Sequence, residues 1–310
     1  MTQTLTYRLH DVSPYINWIY FFHAWGFPPR FAGIAQVHAC AGCRATWLRQ
    51  FPQEEQERAQ EAVRLYDDAC RELTRLDETY RTYVRFGLYE ANADADNLIL
   101  WDDATADTES QRSMRLPLLR QQQVKNEDYF LCLSDFVRPL SGGIRDRVGV
   151  FCATVDSEME HLYESGDSYD PYLHMLCQTL ADRLAEASVE KMHQQIRTHY
   201  WGYAPNEQLS IPELLQEHFQ GIRPAVGYPS LPDQSTNFDL DSWLHFDEIG
   251  IRITETGAMI PHASVSGLIL AHPQSHYFAV GKIGTDQLED YARRKGQPVE
   301  TIRKFLAANL

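Results

Sequence analysis

The chain has too little positive charge to bind nucleic acid through a basic face. Its 310 residues include 28 lysines and arginines against 43 aspartates and glutamates, and the formal net charge is −15. Nucleic acids and anionic membrane surfaces both attract a positively charged protein face. The charge balance therefore argues against both partners, and it fits a protein that presents an acidic face to a basic partner.

Long apolar runs are also missing. No uncharged stretch is long enough to span a bilayer, and the first residues lack the basic-then-apolar order of a secretory signal. Hydrophobic residues make up 44% of the chain, an ordinary share for a globular protein with a core. We therefore expect a cytoplasmic protein, and its length suits one large domain or two medium ones.

Cysteines are few, and the six in the chain include one close pair, Cys40 and Cys43, with His38 just before it. The others stand singly and indicate reduced core residues. Such a pair could bind a metal ion or cycle between thiol and disulfide. A structural zinc site needs four ligands, and the chain offers no second close pair. The sequence therefore predicts no metal site and favours thiols without a functional role.

Helical periodicity is strongest in two stretches, Gln53–Leu76 and about Pro171–Tyr200, where apolar residues recur every three to four positions. Ser13-Pro14 is typical of a helix start and predicts a helix over Val12–Trp25. Further helices are predicted near the following ranges: Glu158–Glu164, Ile211–Phe219, Asp286–Lys295 and Val299–Ala307.

Apolar and β-branched runs between these helices predict strands. Tyr80–Asn92 and Asn97–Asp103 form a predicted hairpin, and Leu268–Ala271 with His276–Gly281 forms a second. Single strands are predicted over Tyr129–Val137 and Val148–Val155. The irregular order of elements predicts an α+β fold, a single domain with a twisted antiparallel sheet flanked by helices that include one long central helix. Residues 1–80 would form a mainly helical N-terminal part and residues 81–310 a mixed main body.

The segment Gln220-Gly-Ile-Arg-Pro-Ala-Val-Gly-Tyr-Pro229 mixes one strong cation with small residues and one aromatic. Its two prolines fix φ, and its two glycines permit backbone conformations that a side chain would forbid. Arg223 on such a stiff loop is suited to binding a carboxylate with two parallel hydrogen bonds. Loops of this composition are also common as plain connections, so the loop alone leaves both interpretations open.

Three carboxylates, Asp182, Glu186 and Glu190, repeat every fourth residue on the long predicted helix and therefore lie in one row. Such a row is usually a solvated face, although it could also receive a cationic or hydrogen-bond-donating partner. Asp135 is a lone carboxylate at the end of an apolar run, where it either caps a turn or faces a ligand.

Several stretches taken together in the same order resemble one family over nearly the whole chain. They are Cys132-Leu-Ser-Asp-Phe-Val137, Ala181–Ala187, Tyr200–Glu207, Gln220–Pro229, Ala263-Ser-Val-Ser-Gly267 and Glu289–Gly296. The chain resembles the activation (reactivation) domain of cobalamin-dependent methionine synthase. The resemblance implies binding of S-adenosylmethionine and remethylation of cobalamin that has been oxidised to cob(II)alamin, with flavodoxin or a similar reductase as electron donor.

The resemblance also implies roles for individual residues. Arg223 would hold the carboxylate of the ligand, and Asp135 would accept from its amino group. The ligand pocket would be completed by Ala225, Gly227, Tyr228 and Tyr277. No protein side chain is implied as a catalytic base, because reduced cobalt is the nucleophile.

A second set of residues would contact the partner's cobalamin module. The small-residue segment would lie against the corrin, through Met259, Ala263, Ser264 and Gly267. Asp182 in the row of carboxylates, and also Glu158, resemble family positions that receive the cobalt-ligating histidine once it is released. Ile260-Pro-His262 stands where the family pattern has a bulkier tryptophan and then a glycine, so the corrin contact is expected to differ in detail.

The chain begins at Met1 inside the activation region, which favours a separately encoded subunit acting in trans over an excised domain. A sensor that holds S-adenosylmethionine without turnover is the alternative function. A methyltransferase acting on another substrate would show a glycine-rich turn between a strand and a helix, and the sequence has none.

Overall fold

The centre of the fold is an antiparallel sheet. A computed structural model describes residues 2–101, 113–123 and 129–310 of the chain. The strands in these ranges are β1 (Thr2–Arg8), β2 (Arg81–Asp94), β3 (Asn97–Trp101), β4 (Ser113–Pro117), β5 (Asp146–Val155), β6 (Arg252–Ile253), β7 (Met259–Ile260) and β8 (Ser264–Ile269).

Strand β2 organises the sheet because it is long enough to pair with three others. One edge of β2 pairs with β5, and the other is shared by β1 along its first half and β3 along its second half. The six-stranded sheet runs in the order β4-β3-β2-β5-β8, with β1 beside β2, while β6 and β7 pair separately. This order leaves β8 at one end of the sheet, next to the loop that the sequence singles out.

Helices cover both faces of this sheet. They are α1 (Leu9–Val12), α2 (Trp18–Ala24), α3 (Ala41–Leu48), α4 (Gln56–Asp77), α5 (Pro171–Gln195), α6 (Ile211–Leu215), α7 (Thr236–Leu244), α8 (Thr285–Lys295) and α9 (Val299–Phe305). Helices α4 and α5 pack over one face and α7 over the other, so two apolar cores lie on opposite sides of the sheet. A third, smaller core joins α8 and α9.

Helix α5 positions most of the candidate site. The Asp170 side chain caps its start by accepting from the N–H groups of Tyr172 and Leu173, both at 3.0 Å, and Pro171 occupies the first turn. Its buried stripe includes Leu176, Leu180, Leu184, Ala187 and Met192. A π-helical turn, Ile196–Tyr200, continues the helix.

The main sequence predictions of fold are confirmed. The α+β class, the antiparallel sheet and the long helix near Pro171–Tyr200 are all present. The helix over Gln53–Leu76, the first hairpin and the strand near Val148–Val155 also match. These elements have periodic apolar patterns over many residues, which is the strongest local signal a sequence contains.

Three predicted elements are wrong. The Tyr129–Val137 strand is replaced by a 3₁₀ turn over Leu133–Phe136, because Asp135 accepts from the backbone N–H of Cys132 at 2.8 Å and closes the turn. The second hairpin is absent: β8 pairs with β5, and residues 276–281 form no strand. The first long helix begins at Trp18 instead of near Ser13, because the Asn17 side chain caps it by accepting from the N–H of Ile19 at 3.1 Å.

Several elements are absent from the sequence predictions, among them β1 and α7. Strand β1 lies in the predicted helical N-terminal part, yet it pairs with β2 and so joins that part to the sheet of the main body. Helix α7 begins within residues 231–240, whose sequence indicates a loop. The polar stretch 105–113 also indicates a loop, and it falls almost wholly outside the described residues. Within the described ranges, every helix is either too short or too polar to cross a membrane.

Candidate functional site

The loop that contains Arg223 is attached to the free edge of β8. The N–H of Ile222 donates to the Leu270 carbonyl, and the N–H of Leu270 donates to the Ile222 carbonyl, both at 2.9 Å. Further along, the N–H of Val226 donates to the Ser266 carbonyl at 2.9 Å, and the N–H of Leu268 donates to Pro224 at 3.0 Å. The loop therefore runs along the sheet as an irregular extra strand, and this fixes the direction in which Arg223 projects.

Two glycines allow this close approach. A Cβ at Gly267 in β8 would lie 2.2 Å from the carbonyl oxygen of Pro224. Gly221 has φ +89°, and a Cβ there would lie 2.6 Å from the Leu270 carbonyl oxygen. Both positions require glycine because the backbone itself fills the space that a side chain would need.

Arg223 lines a cavity and has one ionic partner among the described residues. Its guanidinium pairs with Glu190 on α5, and the two side chains are 18% and 12% exposed. The Arg223 Nε–H is buried without a hydrogen-bond acceptor in the described protein. A guanidinium carries five N–H donors, so this one keeps capacity for a further carboxylate.

Two tyrosines flank the arginine. The Tyr228 hydroxyl donates to Glu186 on α5 at 2.9 Å. Desolvation of this half-exposed phenol, followed by the Glu186 carboxylate, raises the pKa of Tyr228 to about 12. The hydroxyl oxygen of Tyr277 accepts from the backbone N–H of Arg223 at 3.1 Å. Both phenols are therefore neutral at physiological pH.

The groups described so far meet around one cavity of about 740 Å³. Its lining includes Arg183, Glu186, Glu190, Glu217, Arg223, Ala225, Tyr228, Tyr277 and Phe278. A cavity of this size accommodates a nucleoside-sized ligand. A larger cavity of about 880 Å³ lies between α2, α4 and α6, but the lining described for it contains none of the predicted site residues, so size alone does not select it.

Comparison with known proteins gives two concordant results. The family model of the vitamin B12 dependent methionine synthase activation domain matches residues 8–296. The chain belongs to this activation-domain family. Among solved structures, the crystal structure of the MetH reactivation domain bound to AdoHcy is similar, with 36% sequence identity and a TM-score of 0.84. That alignment covers 100% of this chain and 90% of the other.

A buried ionic network lies next to the loop of the candidate site in this activation domain. Arg197 is fully buried and donates to Glu207 through Nε at 2.7 Å and a second nitrogen at 2.8 Å. His193 lies beside it, and burial together with the Arg197 charge lowers the pKa of His193 well below its usual range. The Tyr203 hydroxyl contacts His193 at 3.3 Å and packs against Gly221, at the start of the loop.

Asp135 is one of two predicted ligand-binding residues, with Gly227, that lie outside the described cavity lining of the activation domain. Arg120 donates to both of its carboxylate oxygens at 2.7 Å, and the Cys132 N–H donates to one of them. The next residue, Phe136, contacts the ring of Phe278, a lining residue, with centroids 6.4 Å apart. The contact places Asp135 on a segment bordering the cavity, and its role toward an amino group stays a prediction.

Gly227 shapes the loop of the activation domain from outside the cavity lining. It has φ +86°, and its N–H donates to the Leu231 carbonyl at 2.9 Å. The turn that this bond closes holds Tyr228, whose N–H donates to Ala225. Gly227 therefore acts on the cavity through the position of Tyr228, and its direct contact with a ligand stays a prediction.

The predicted histidine-receiving residues lie on a second surface of the activation domain. Asp182 and Glu158 are both exposed, on α5 and on the 3₁₀ turn Ser157–His161 that packs against it. Partial desolvation of the Asp182 carboxylate raises its pKa, and the charges of Glu160 and Glu186 raise this pKa further. An arriving cation would relieve this unfavourable charge.

The four predicted corrin contacts divide into two groups. Met259 and Ser264 are partly exposed and lie on β7 and β8. Ala263 is 2% exposed and its N–H donates to Glu160 at 2.6 Å, while Gly267 is buried against the loop. Ala263 and Gly267 are therefore packing positions in this fold, and the contact of all four residues with a corrin stays a prediction.

Glu186 and Glu190 are site residues that sequence reasoning assigned to a solvated face. The structure places both in the cavity lining, one against Tyr228 and the other against Arg223. The four-residue spacing from Asp182 was the available signal, since it set all three on one side of α5. Their role depends on which loop packs on that side, and the spacing carries no information on that point.

Proposed function

We propose that this activation domain binds S-adenosylmethionine in the Arg223 cavity and supports reductive remethylation of cob(II)alamin on a methionine synthase cobalamin module. In this proposal the chain is a separate cytoplasmic subunit, it acts in trans, and it receives an electron from flavodoxin or a similar reductase. Family membership and the AdoHcy complex of the similar MetH domain support the ligand.

The observation that carries the proposal is the state of Arg223. Its guanidinium faces a ligand-sized cavity, has Glu190 as ionic partner and keeps an unpaired Nε–H. An unpaired buried donor costs free energy, which an incoming carboxylate would recover. The amino-acid end of S-adenosylmethionine has such a carboxylate.

The positive groups of the ligand find complementary surroundings. The sulfonium would lie near the ring of Tyr228, whose face attracts cations, and near the Glu186 carboxylate beside it. The amino group would donate to Asp135. Three hydrogen bonds already reach the Asp135 carboxylate, and an ionised carboxylate accepts about four, so one position stays open.

The protein supplies position for methyl transfer. Cobalamin, carried by the partner module, would supply the reduced cobalt that accepts the methyl group. Arg223 and the tyrosines would hold the ligand so that its methyl group faces the partner. Exposed Asp182, with its raised pKa, and Glu158 fit the imidazolium of a released histidine, while the partly exposed Met259 and Ser264 would contact the corrin.

The test mixes the chain with a methionine synthase cobalamin module, a reductant and S-adenosylmethionine labelled in its methyl group. We expect the label on the cobalamin only when all components are present. Label that stays on S-adenosylmethionine, with binding intact by calorimetry, would instead establish a sensor without turnover. Absence of binding would remove the proposal altogether.

A further inference from the structure

We propose that His38, Cys40 and Cys43 form a binding site for one zinc ion, with the fourth zinc ligand supplied by water. The sequence alone favoured thiols without a role, because a single cysteine pair offers two ligands. The fold adds a third. One ligand atom from each of the three side chains lies within 4.8 Å of the others.

Local structure explains why these side chains converge. Cys40 is the N-cap of α3, and its sulfur accepts from the N–H of Cys43 at 3.3 Å. The Cys40 N–H donates to Nδ1 of His38 at 3.3 Å, which folds the histidine back over the turn. Both bonds are short-range, so they form with the first turn of the helix and bring the three ligand atoms together before any metal arrives.

The geometry needs only a small closure. Zinc–sulfur bonds of about 2.3 Å at tetrahedral angles place two sulfur ligands about 3.8 Å apart. All three side chains are exposed, so they can rotate until their ligand atoms reach zinc-binding distances without disturbing the core. A Cβ at the neighbouring Gly42 would meet no other atom within 4 Å, and a cavity of about 370 Å³ borders His38 and Cys43. The site therefore has room for a water ligand.

The chemistry of the donors selects the metal class. Two thiolates and one imidazole suit zinc and other soft or borderline ions, whereas magnesium and calcium prefer oxygen. Cysteine binds zinc as a thiolate, so zinc binding releases thiol protons to solvent, and affinity increases with pH.

This site is separate from the proposed function. None of its three residues lines the Arg223 cavity as described, and His38 and Cys43 instead share a small cavity with Trp47. A failure of zinc binding would therefore leave S-adenosylmethionine binding unaffected, and the converse also holds.

The experiment titrates the full, reduced, metal-free chain with Co²⁺ and then with Zn²⁺. We expect a thiolate-to-cobalt charge-transfer band that saturates at one equivalent and disappears on adding one equivalent of Zn²⁺. Competition with a chromophoric chelator gives the zinc affinity, which we expect to increase between pH 6 and pH 8, because the cysteines bind zinc only after losing their protons.

Single variants identify the ligands. Cys40→Ser and Cys43→Ser should each abolish stoichiometric binding, and His38→Ala should weaken it. Cys70→Ser is the matched control, since Cys70 is a free, partly buried thiol outside the trio, and it should bind zinc like the unmodified chain. No charge-transfer band in the unmodified chain, or an unchanged band in a Cys40→Ser/Cys43→Ser double variant, would overturn the proposal. Unchanged affinity in His38→Ala would also overturn it.

Discussion

Two arginine–glutamate pairs lie close together: Glu190 of one is on α5, and Arg197 of the other follows about two turns later on its π-helical extension. They differ in how far protein encloses them. Arg197 and Glu207 are 0% and 6% exposed and share two hydrogen bonds. The Arg197 guanidinium carbon also lies 4.1 Å from the centre of the Phe219 ring. Arg223 and Glu190 are 18% and 12% exposed, and they border a cavity.

The difference separates a structural pair from a binding pair. Arg197 is fully buried and, like Arg223, keeps one donor (its Nη1) without an acceptor in the described protein, but it lines none of the cavities described, so we interpret its pair with Glu207 as structural. Arg223 also pairs with a glutamate, but it borders a cavity through which an acceptor can reach its unpaired Nε–H. In our proposal the same ion pair thus stabilises the fold in one place and recognises a ligand carboxylate in the other, according to whether protein or a cavity lies beside it.

The largest expected effect is on the closed pair. Arg197→Met leaves Glu207 buried without its partner, and we expect a loss of about 3–5 kcal/mol in the free energy of unfolding. Urea denaturation measures this loss. Adding Glu207→Met to the same chain should recover much of it, because the uncompensated charge is gone. A loss below about 1 kcal/mol in the single variant would mean that the two pairs do not differ as described.

The next effect is on ligand binding at the open pair. Arg223→Met keeps the apolar stem and removes the donors, and we expect AdoHcy binding to weaken by about 1.5–3 kcal/mol, the scale of a charged hydrogen bond. Calorimetry measures the affinity, and urea denaturation should show a smaller stability loss than in Arg197→Met.

Arg183→Met is the matched control for this comparison. Arg183 lines the same cavity and pairs with Glu186 at 3.7 Å, but we assign it no contact with the carboxylate of the ligand. Its replacement should leave AdoHcy affinity close to that of the unmodified chain. Equal losses in Arg183→Met and Arg223→Met would show that net positive charge matters and that Arg223 holds no specific position.

The open pair was partly predictable from sequence, because its loop is a local feature. Prolines, glycines and one arginine within ten residues indicate a stiff loop with a cation. The partner of that cation was not predictable. Glu190 lies 33 positions before Arg223, and the two meet only because the loop pairs with β8 and β8 packs beside α5.

Turn formation and contacts between distant segments explain the other differences between the sequence predictions and the structure. Asp135 could be read as a cap or as a ligand contact, and the structure shows that it closes a turn while Arg120 also binds it. The apolar run before it predicted a strand, since apolar runs alone do not distinguish a strand from a buried turn. Burial of Gly267 likewise follows from its contact with Pro224, a pairing between distant segments.

The smallest expected effect concerns Glu190 itself. In the described state its carboxylate occupies part of the guanidinium that the ligand carboxylate must reach, so the two anions compete for Arg223. Glu190→Gln removes the competing charge, and we expect AdoHcy to bind about 0.5–1 kcal/mol more tightly by calorimetry, the scale of a partly exposed ion pair. The gain should be smaller for S-adenosylmethionine, because its sulfonium loses a nearby negative charge.

Glu217→Gln, which removes a carboxylate from the same lining and keeps the Arg223–Glu190 pair, serves as the control. Weaker AdoHcy binding in Glu190→Gln would show that Glu190 instead holds Arg223 in its binding orientation, and the open pair would then be closer in kind to the closed one.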